Sequence, residues 1–560
     1  MRFCIRIFSF LIFSLPIISQ AATFNVTDST TFQAALTSAA SNGQDNTINL
    51  AAGTYVAAST FSFTSLQATA LTIVGANAAT TIIDGANLVQ PLLISNAGNI
   101  ELDNVTVQNG DSGSNPGGGA AIVNAASGTI TVKNSIFNNN TASNNNVGGL
   151  YVVCTTCNIV VSNTTVSSNK TSTPTGVVGG VGIVSVSGNV TFSNNTVTNN
   201  ISAGDDSSSP KVYGCGGFYL RGQVVTFTGN TIQGNQSTFD VGAGHVMASN
   251  GVEFTQNTVK QNSATKNLGG VIVHVTGGNA NFSNNTIDSN TAQLIAGGFE
   301  LAGEGSGTIT FDSNMITNNI SNTSDPNAGV GGGAVAFGGY SGSVTNNLVI
   351  GNKAPNSSFG GIYIIDSDGQ TINVVNNTVT NNSASGTSGG VALSTNNASD
   401  VINYYNNISF GNTGSPGKDI FVSQFAGSTL KLFNNDFSEL CFGGGACDPT
   451  VLGANQGANI NSDPLFVNAA GNDYYLQSSS PALGTGLVTA PGIPSTDFAG
   501  NARVVDGKVN MGAFQDPPPT PTPSSGSGGC ALNASSEKNV TCFLLFLALG
   551  VLPFWKMRKV

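Results

Sequence analysis

Apolar and polar residues alternate with a period of two through most of the chain, in runs of four or five residues. Such alternation predicts short β-strands with one buried face. The runs recur with a spacing of about 30 residues. NNTVTNN (Asn194 to Asn200) returns as GNTIQGN, QNTVKQN, NNTIDSN, NNLVIGN, NNTVTNN and NNISFGN, ending at Asn412. In register, the position two residues before each motif reads Val132, Val161, Phe192, Phe227, Phe254, Phe282, Phe311, Val344, Val374 and Tyr404. A second register reads Asn195, Asn230, Asn257, Asn285, Asn314, Asn347, Asn377, Asn407 and Asn435. Equal positions aligned across repeats mean that successive strands stack in parallel, roughly 4.8 Å apart. Each repeat then forms one coil of a solenoid with three short strands. The Phe side chains stack inside, and the Asn side chains hydrogen-bond along the axis at a turn, where Asn tolerates left-handed backbone. A recurring Gly-Gly step (Gly148-Gly149, Gly179-Gly180, Gly216-Gly217, Gly269-Gly270, Gly297-Gly298, Gly360-Gly361, Gly389-Gly390) marks a second turn needing either positive φ or close approach. The reading is an all-β, single-stranded right-handed parallel β-helix of about 12 coils.

Solenoid ends need caps. Thr31 to Ala40 places Phe32, Ala35, Leu36 and Ala39 on one face of a helix, suited to lie across the first coil. Met1 to Ala21, with Arg2 and Arg6 before an apolar run, reads as a secretory signal. Pro517 to Gly529 is a Pro-rich then Ser/Gly-rich linker. Beyond it Cys530, an apolar run from Val540 to Trp555 and the basic Lys556, Arg558 and Lys559 resemble a bacterial C-terminal sorting signal, with a plain membrane anchor as the alternative. Cys530 stands where processing or lipid attachment is expected. The expected organisation is signal peptide (1–21), N-terminal cap and first coils (22–100), β-helix repeats (101–440), C-terminal coils and cap (441–515), linker (516–529) and sorting signal or anchor (530–560).

Composition narrows the function classes. Charged residues are 8% of the 560, with a net charge of −11. That leaves no basic stripe for phosphates, so nucleic acid is not an expected partner. Hydrophobic residues at 39% supply a core, which argues against disorder. The cysteines suit an oxidising compartment. Cys441 and Cys447 could close one small disulfide loop, and Cys154 and Cys157 are expected to staple a corner between strands; Cys215 reads as a small buried residue.

The repeat motif and Gly-Gly period resemble bacterial right-handed β-helix proteins of the pectate-lyase-like superfamily. Asp463-Pro464-Leu465-Phe466, Ser480-Pro481-Ala482 and Asp497…Gly500-Asn501-Ala502-Arg503…Gly512-Ala513-Phe514 resemble the ending of choice-of-anchor Q proteins. This resemblance covers about Thr23 to Gln515 and implies export and surface anchoring. The family commonly has acids where Gly484, Asn510 and Gln515 stand, so no calcium or catalytic role is carried over to them.

A β-helix enzyme acting on uronic polysaccharide needs clustered carboxylates and a basic residue near the sugar. The best local constellation is Asp205-Asp206, Arg221, Asp240 and, one coil on, His245. Asp205 and Asp206 read first as a polar loop and second as a cation or sugar site. His245 is assigned the register of Leu150, Val181, Phe218, Val271 and Phe299, so it is expected to point inward as a core histidine. His274 falls on an outward register with Arg221. The reading favours an exported, surface-anchored, monomeric β-solenoid with a structural, adhesive or glycan-binding role. It has no expected cofactor or metal, and touches the membrane only through its tail. The alternative is an extracellular polysaccharide lyase, hydrolase or epimerase.

Overall fold

The computed structural model describes residues 21–515, apart from 114, 125–127, 144–146, 174–176, 205–213, 324–328, 444 and 446. The segment read as a signal, up to residue 20, and those read as linker and tail, with Cys530, lie outside the described residues. Among the described residues no helix is long and apolar enough to cross a membrane.

Parallel coils wind into a right-handed β-helix of about 13 turns, close to the number expected from the repeat. Each central coil carries a first strand such as Phe218–Gly222, a second such as Val225–Thr228 and a third such as Thr231–Gln233. A fourth, two-residue strand such as Gln236–Ser237, too short to show as alternation, completes the coil. The third strands form a 14-stranded sheet and the fourth a 9-stranded one; first and second strands make up a 28-stranded sheet, fused where Phe299–Asp312 and Gly333–Thr345 run through the corner.

The expected stack is present. Phe192, Phe227, Phe254, Phe282 and Phe311 are strand partners on successive coils, with ring centroids 5.4, 4.8, 4.7 and 5.1 Å apart. The Asn register is also a column of hydrogen bonds, and it extends one rung further to Asn459. Asn230 Nδ2 donates to Asn257 Oδ1 at 3.1 Å and to the Phe192 carbonyl at 2.9 Å, so both amide hydrogens are used. The closing Asn of each motif builds a second column from Asn140 through Asn412. Left-handed backbone belongs to the residue before each rung, for example Asn194 (φ 55°) or Gln256 (φ 58°), and not to the rung itself. The Gly-Gly step answers to close approach. A Cβ on Gly148 would sit 2.2 Å from the Gly179 carbonyl, and one on Gly149 2.6 Å from that of Gly180, while neither has positive φ.

The helix Ser29–Ala39 buries Phe32, Ala35, Leu36 and Ala39 as expected, and Asp28 caps it by accepting the Thr31 N–H at 2.8 Å. Phe32 packs on Phe61 with centroids 4.7 Å apart. At the other end Leu452, on the 3₁₀ segment Pro449–Asn455, packs against the core. Residues 463–515 instead fold back along the outer face of the third-strand sheet. Tyr474, Ala513 and Phe514 cover Leu348 and Ile350; Leu476, Ala482 and Met511 cover Ile408. Arg503, fully buried, donates to the carbonyls of Gly512 (3.1 Å) and Ala513 (2.8 Å) and to the Asn346 side chain. Burial lowers its pKa to about 10. Cys154–Cys157 and Cys441–Cys447 are disulfides, and Cys215 is a buried thiol.

Candidate functional site

Along the first strands, alternate residues leave the solenoid in two outer rows. One row reads Tyr151, Gly182, Tyr219, His245, Ile272 and Glu300; the other reads Val153, Val184, Arg221, Met247, His274 and Ala302. His245 therefore faces out, which corrects the inward register expected for it. The cause is local. Residues 242–244 read Gly-Ala-Gly, and Ala243 stands where other coils have the second Gly, so Gly244 takes the inward position between Phe218 and Val271. A Cβ on Gly244 would lie 2.6 Å from Phe218 Cδ1; the ring occupies that space.

Facing out does not expose His245. The turns before the first strands fold over this edge of the sheet. Val147, Val178, Cys215, Val241, Leu268, Ala296 and Val330 form a second apolar cluster there, with Ile272 from the outer row. His245 is 0% exposed in consequence. Burial, and then the neighbouring His274, push its pKa well below the usual imidazole value, so it is a neutral base. Its ring meets Tyr219 edge-on at 5.7 Å and His274 at 5.0 Å with perpendicular planes. His274, on the outward register predicted for it, is half-buried, and its Nε2 lies 3.5 Å from Glu300 Oε1. The Tyr219 hydroxyl donates to Met247 Sδ at 3.1 Å. Arg221, Met247, Ser249, His274, Thr276 and Val186 line a shallow concavity of about 290 Å³.

Asp205 and Asp206 lie outside the described residues. Asp240 is buried at the turn before the strand Gly244–Ala248, where it accepts from the Asn267 amide. Burial, with Asp240 nearby, pushes the Cys215 thiol up, so this thiol is a poor nucleophile. Among the described residues no three His, Cys, Asp or Glu side chains form a metal-holding group.

The second strands present a regular polar outer face. The Thr228 and Thr255 hydroxyls are 3.1 Å apart and Asn281 donates to Glu253 at 2.8 Å, whereas further on the face is covered, Ala490 packing on Val375 and Tyr405. At its N-terminal end Lys133 bridges Glu101 (3.1 Å) and Asp103 (3.7 Å).

Sequence reading missed Met247 and Glu300 as neighbours of the histidines. The signal was there: aligning Ala243 with the second Gly of the step places His245 in one outer row with Tyr219, Ile272 and Glu300. It also missed two buried carboxyls. Asp366 replaces an inward apolar residue opposite Phe337 and is pushed up to about 8 by burial and then by Asp400. Asp436 is pushed up to about 7, again by burial first.

No protein-family model matches the chain, and no curated protein matches it. Among solved structures, the A-module of the Azotobacter vinelandii mannuronan C-5 epimerase AlgE6 aligns at 11% identity over 78% of this chain and 95% of that one, with a TM-score of 0.28. No residue correspondence follows from a superposition that loose.

Proposed function

We propose that this protein is an exported, surface-held, monomeric β-solenoid that binds extracellular polysaccharide on its outer sheet face. The observation that carries this reading is the ladder of short hydroxyl and amide side chains on the second strands, repeating at the strand spacing of roughly 4.8 Å beside the concavity of Arg221, Met247 and His274. Hydroxyls and amides in a straight row can donate to and accept from successive sugars of an extended chain, and Arg221 supplies a charged donor at one edge. The signal-like start and the choice-of-anchor Q-like ending support export and anchoring. Binding to a panel of immobilised polysaccharides tests it: retention on at least one, weakened about tenfold in Arg221→Ala, is expected. Retention on none overturns it.

A second reading, an enzyme acting on polysaccharide, is favoured by one observation. His274, with Glu300 3.5 Å away, and Arg221, two strands back, line the same cleft, which sets an imidazole and a cation along it. New unsaturated ends, new reducing ends or altered uronate epimer content after incubation would establish it, provided His274→Gln abolishes the change.

A further inference from the structure

The 560-residue chain has two histidines and five methionines, and both histidines meet one methionine on a single patch. His245 and Met247 are alternate residues of the strand Gly244–Ala248, so both leave its outer face. His274 is the direct partner of Met247 on the next strand, and its ring lies 5.0 Å from that of His245. Met247 and His274 share the wall of the concavity.

We propose that His245, Met247 and His274 form a copper(I) site. Two imidazole nitrogens and a thioether are a neutral, soft donor set, and thioether sulfur selects copper(I) over zinc or the hard cations. His245 brings an imidazole that is shut off from solvent by the apolar cluster over this edge of the sheet. Met247 is flexible at three torsions and can turn its sulfur from the Tyr219 hydroxyl, which it now engages at 3.1 Å. Half-exposed His274 is the entry side, since His245 is covered by the outer apolar cluster. The charges facing the site are Arg221, two strands back in the row of His274, and Glu300 beside His274, which offset each other. Glu300 also holds the His274 ring, the arrangement that orients imidazole ligands in metal sites. The inference stands apart from the glycan reading, since it needs no sugar.

Anaerobic titration of the whole chain with copper(I), in competition with a chromophoric chelator, tests it. One bound equivalent is expected, with sulfur and nitrogen scatterers in the X-ray absorption spectrum and a change in tyrosine emission as Met247 leaves Tyr219. Met247→Leu keeps the volume and should lose the sulfur signal and bind at least about tenfold more weakly. His274→Gln, at a half-exposed position, should weaken binding similarly, and circular dichroism checks that each variant keeps its sheet. Failure to retain copper(I), or binding by both folded variants as tight as that of the parent, overturns the proposal.

Discussion

Asp419 closes the second amide column by accepting both the backbone N–H and the side-chain amide of Asn412 at 3.1 Å each. Every other rung of that column takes hydrogen bonds from the coil before and gives them to the coil after. A further Asn at the end would leave a donor without an acceptor, whereas a carboxylate has nothing to give. Its second oxygen accepts from the Ser438 backbone N–H at 2.9 Å and the Ser438 hydroxyl at 2.5 Å.

The converse substitution within the column should be costly. In Asn290→Asp the carboxylate cannot donate to Asn319 Oδ1 or to the Val259 carbonyl, both served now at 3.0 and 2.9 Å. Asn319 Oδ1 keeps the Asn290 backbone N–H at 3.0 Å, but it and the Val259 carbonyl then face a carboxylate oxygen, and the lost buried hydrogen bonds cost about 1–3 kcal/mol. A urea midpoint lowered accordingly, with hydrogen-exchange protection lost first in the coils around residue 290, is the expected result; an unchanged midpoint would refute the column as a stabilising element.

Asp366 makes stability fall as pH rises. Its folded-state pKa, pushed up to about 8 by burial and by Asp400, exceeds the unfolded value near 3.9. The neutral carboxyl's contribution is fully present below the unfolded value and is lost as pH climbs through the folded one. Thermal midpoints measured from pH 4 to 9 should decline for the parent, and Asp366→Asn should flatten the decline and be the more stable form at the alkaline end. Parallel curves would count against it.

Arg503 fastens the folded-back segment. Truncation in Arg503→Ala leaves the Gly512 and Ala513 carbonyls and the Asn346 side chain without this donor, at a cost of about 1–3 kcal/mol for each buried acceptor left unpaired. Limited proteolysis should cut within 463–515 while the coils before residue 440 stay intact. Resistance equal to the parent's would show that the apolar contacts suffice alone.

Gly149→Ala should be destabilising by about 1–3 kcal/mol, because the added methyl meets the Gly180 carbonyl and the Asn169 amide at 2.6 and 2.9 Å. The same change at Gly500, where a Cβ meets no atom within 4 Å but φ is 85°, acts through the backbone alone. Comparing the two thermal midpoints separates crowding from backbone strain.

The parallel coils, the Phe stack, the helix cap and both disulfides were legible, because a repeat exposes its inward positions by aligning them, whereas the two-residue fourth strand is too short to show as alternation. The departures fall where one coil breaks the pattern. Ala243 in place of a glycine shifted the apparent register of His245 by one residue and so reversed its direction. Burial of that outward residue could not be read either, since the covering cluster comes from the turns of several coils. The flank was written in the third strands: outward Thr196 and Thr198, Thr231 and Gln233 give way to Leu348 and Ile350, an apolar face that needs a cover.

The fold-back also settles where the chain hands over whatever load it carries. Phe514 packs on Leu348 and Ile350, Gln515 N–H donates to Asp497 at 3.0 Å, and Ala513 N–H donates to Thr378 Oγ1 at 2.9 Å. A pull on the chain beyond residue 515 therefore enters the solenoid at its side, through Arg503, Asn376 and Thr378 into the coils around residues 345–380. The segment also grips the coil at Asn406 and Ile408, so only the end of the solenoid toward Asn459 lies beyond the load, and force meets many interstrand hydrogen bonds together instead of unzipping the terminal coil one bond at a time.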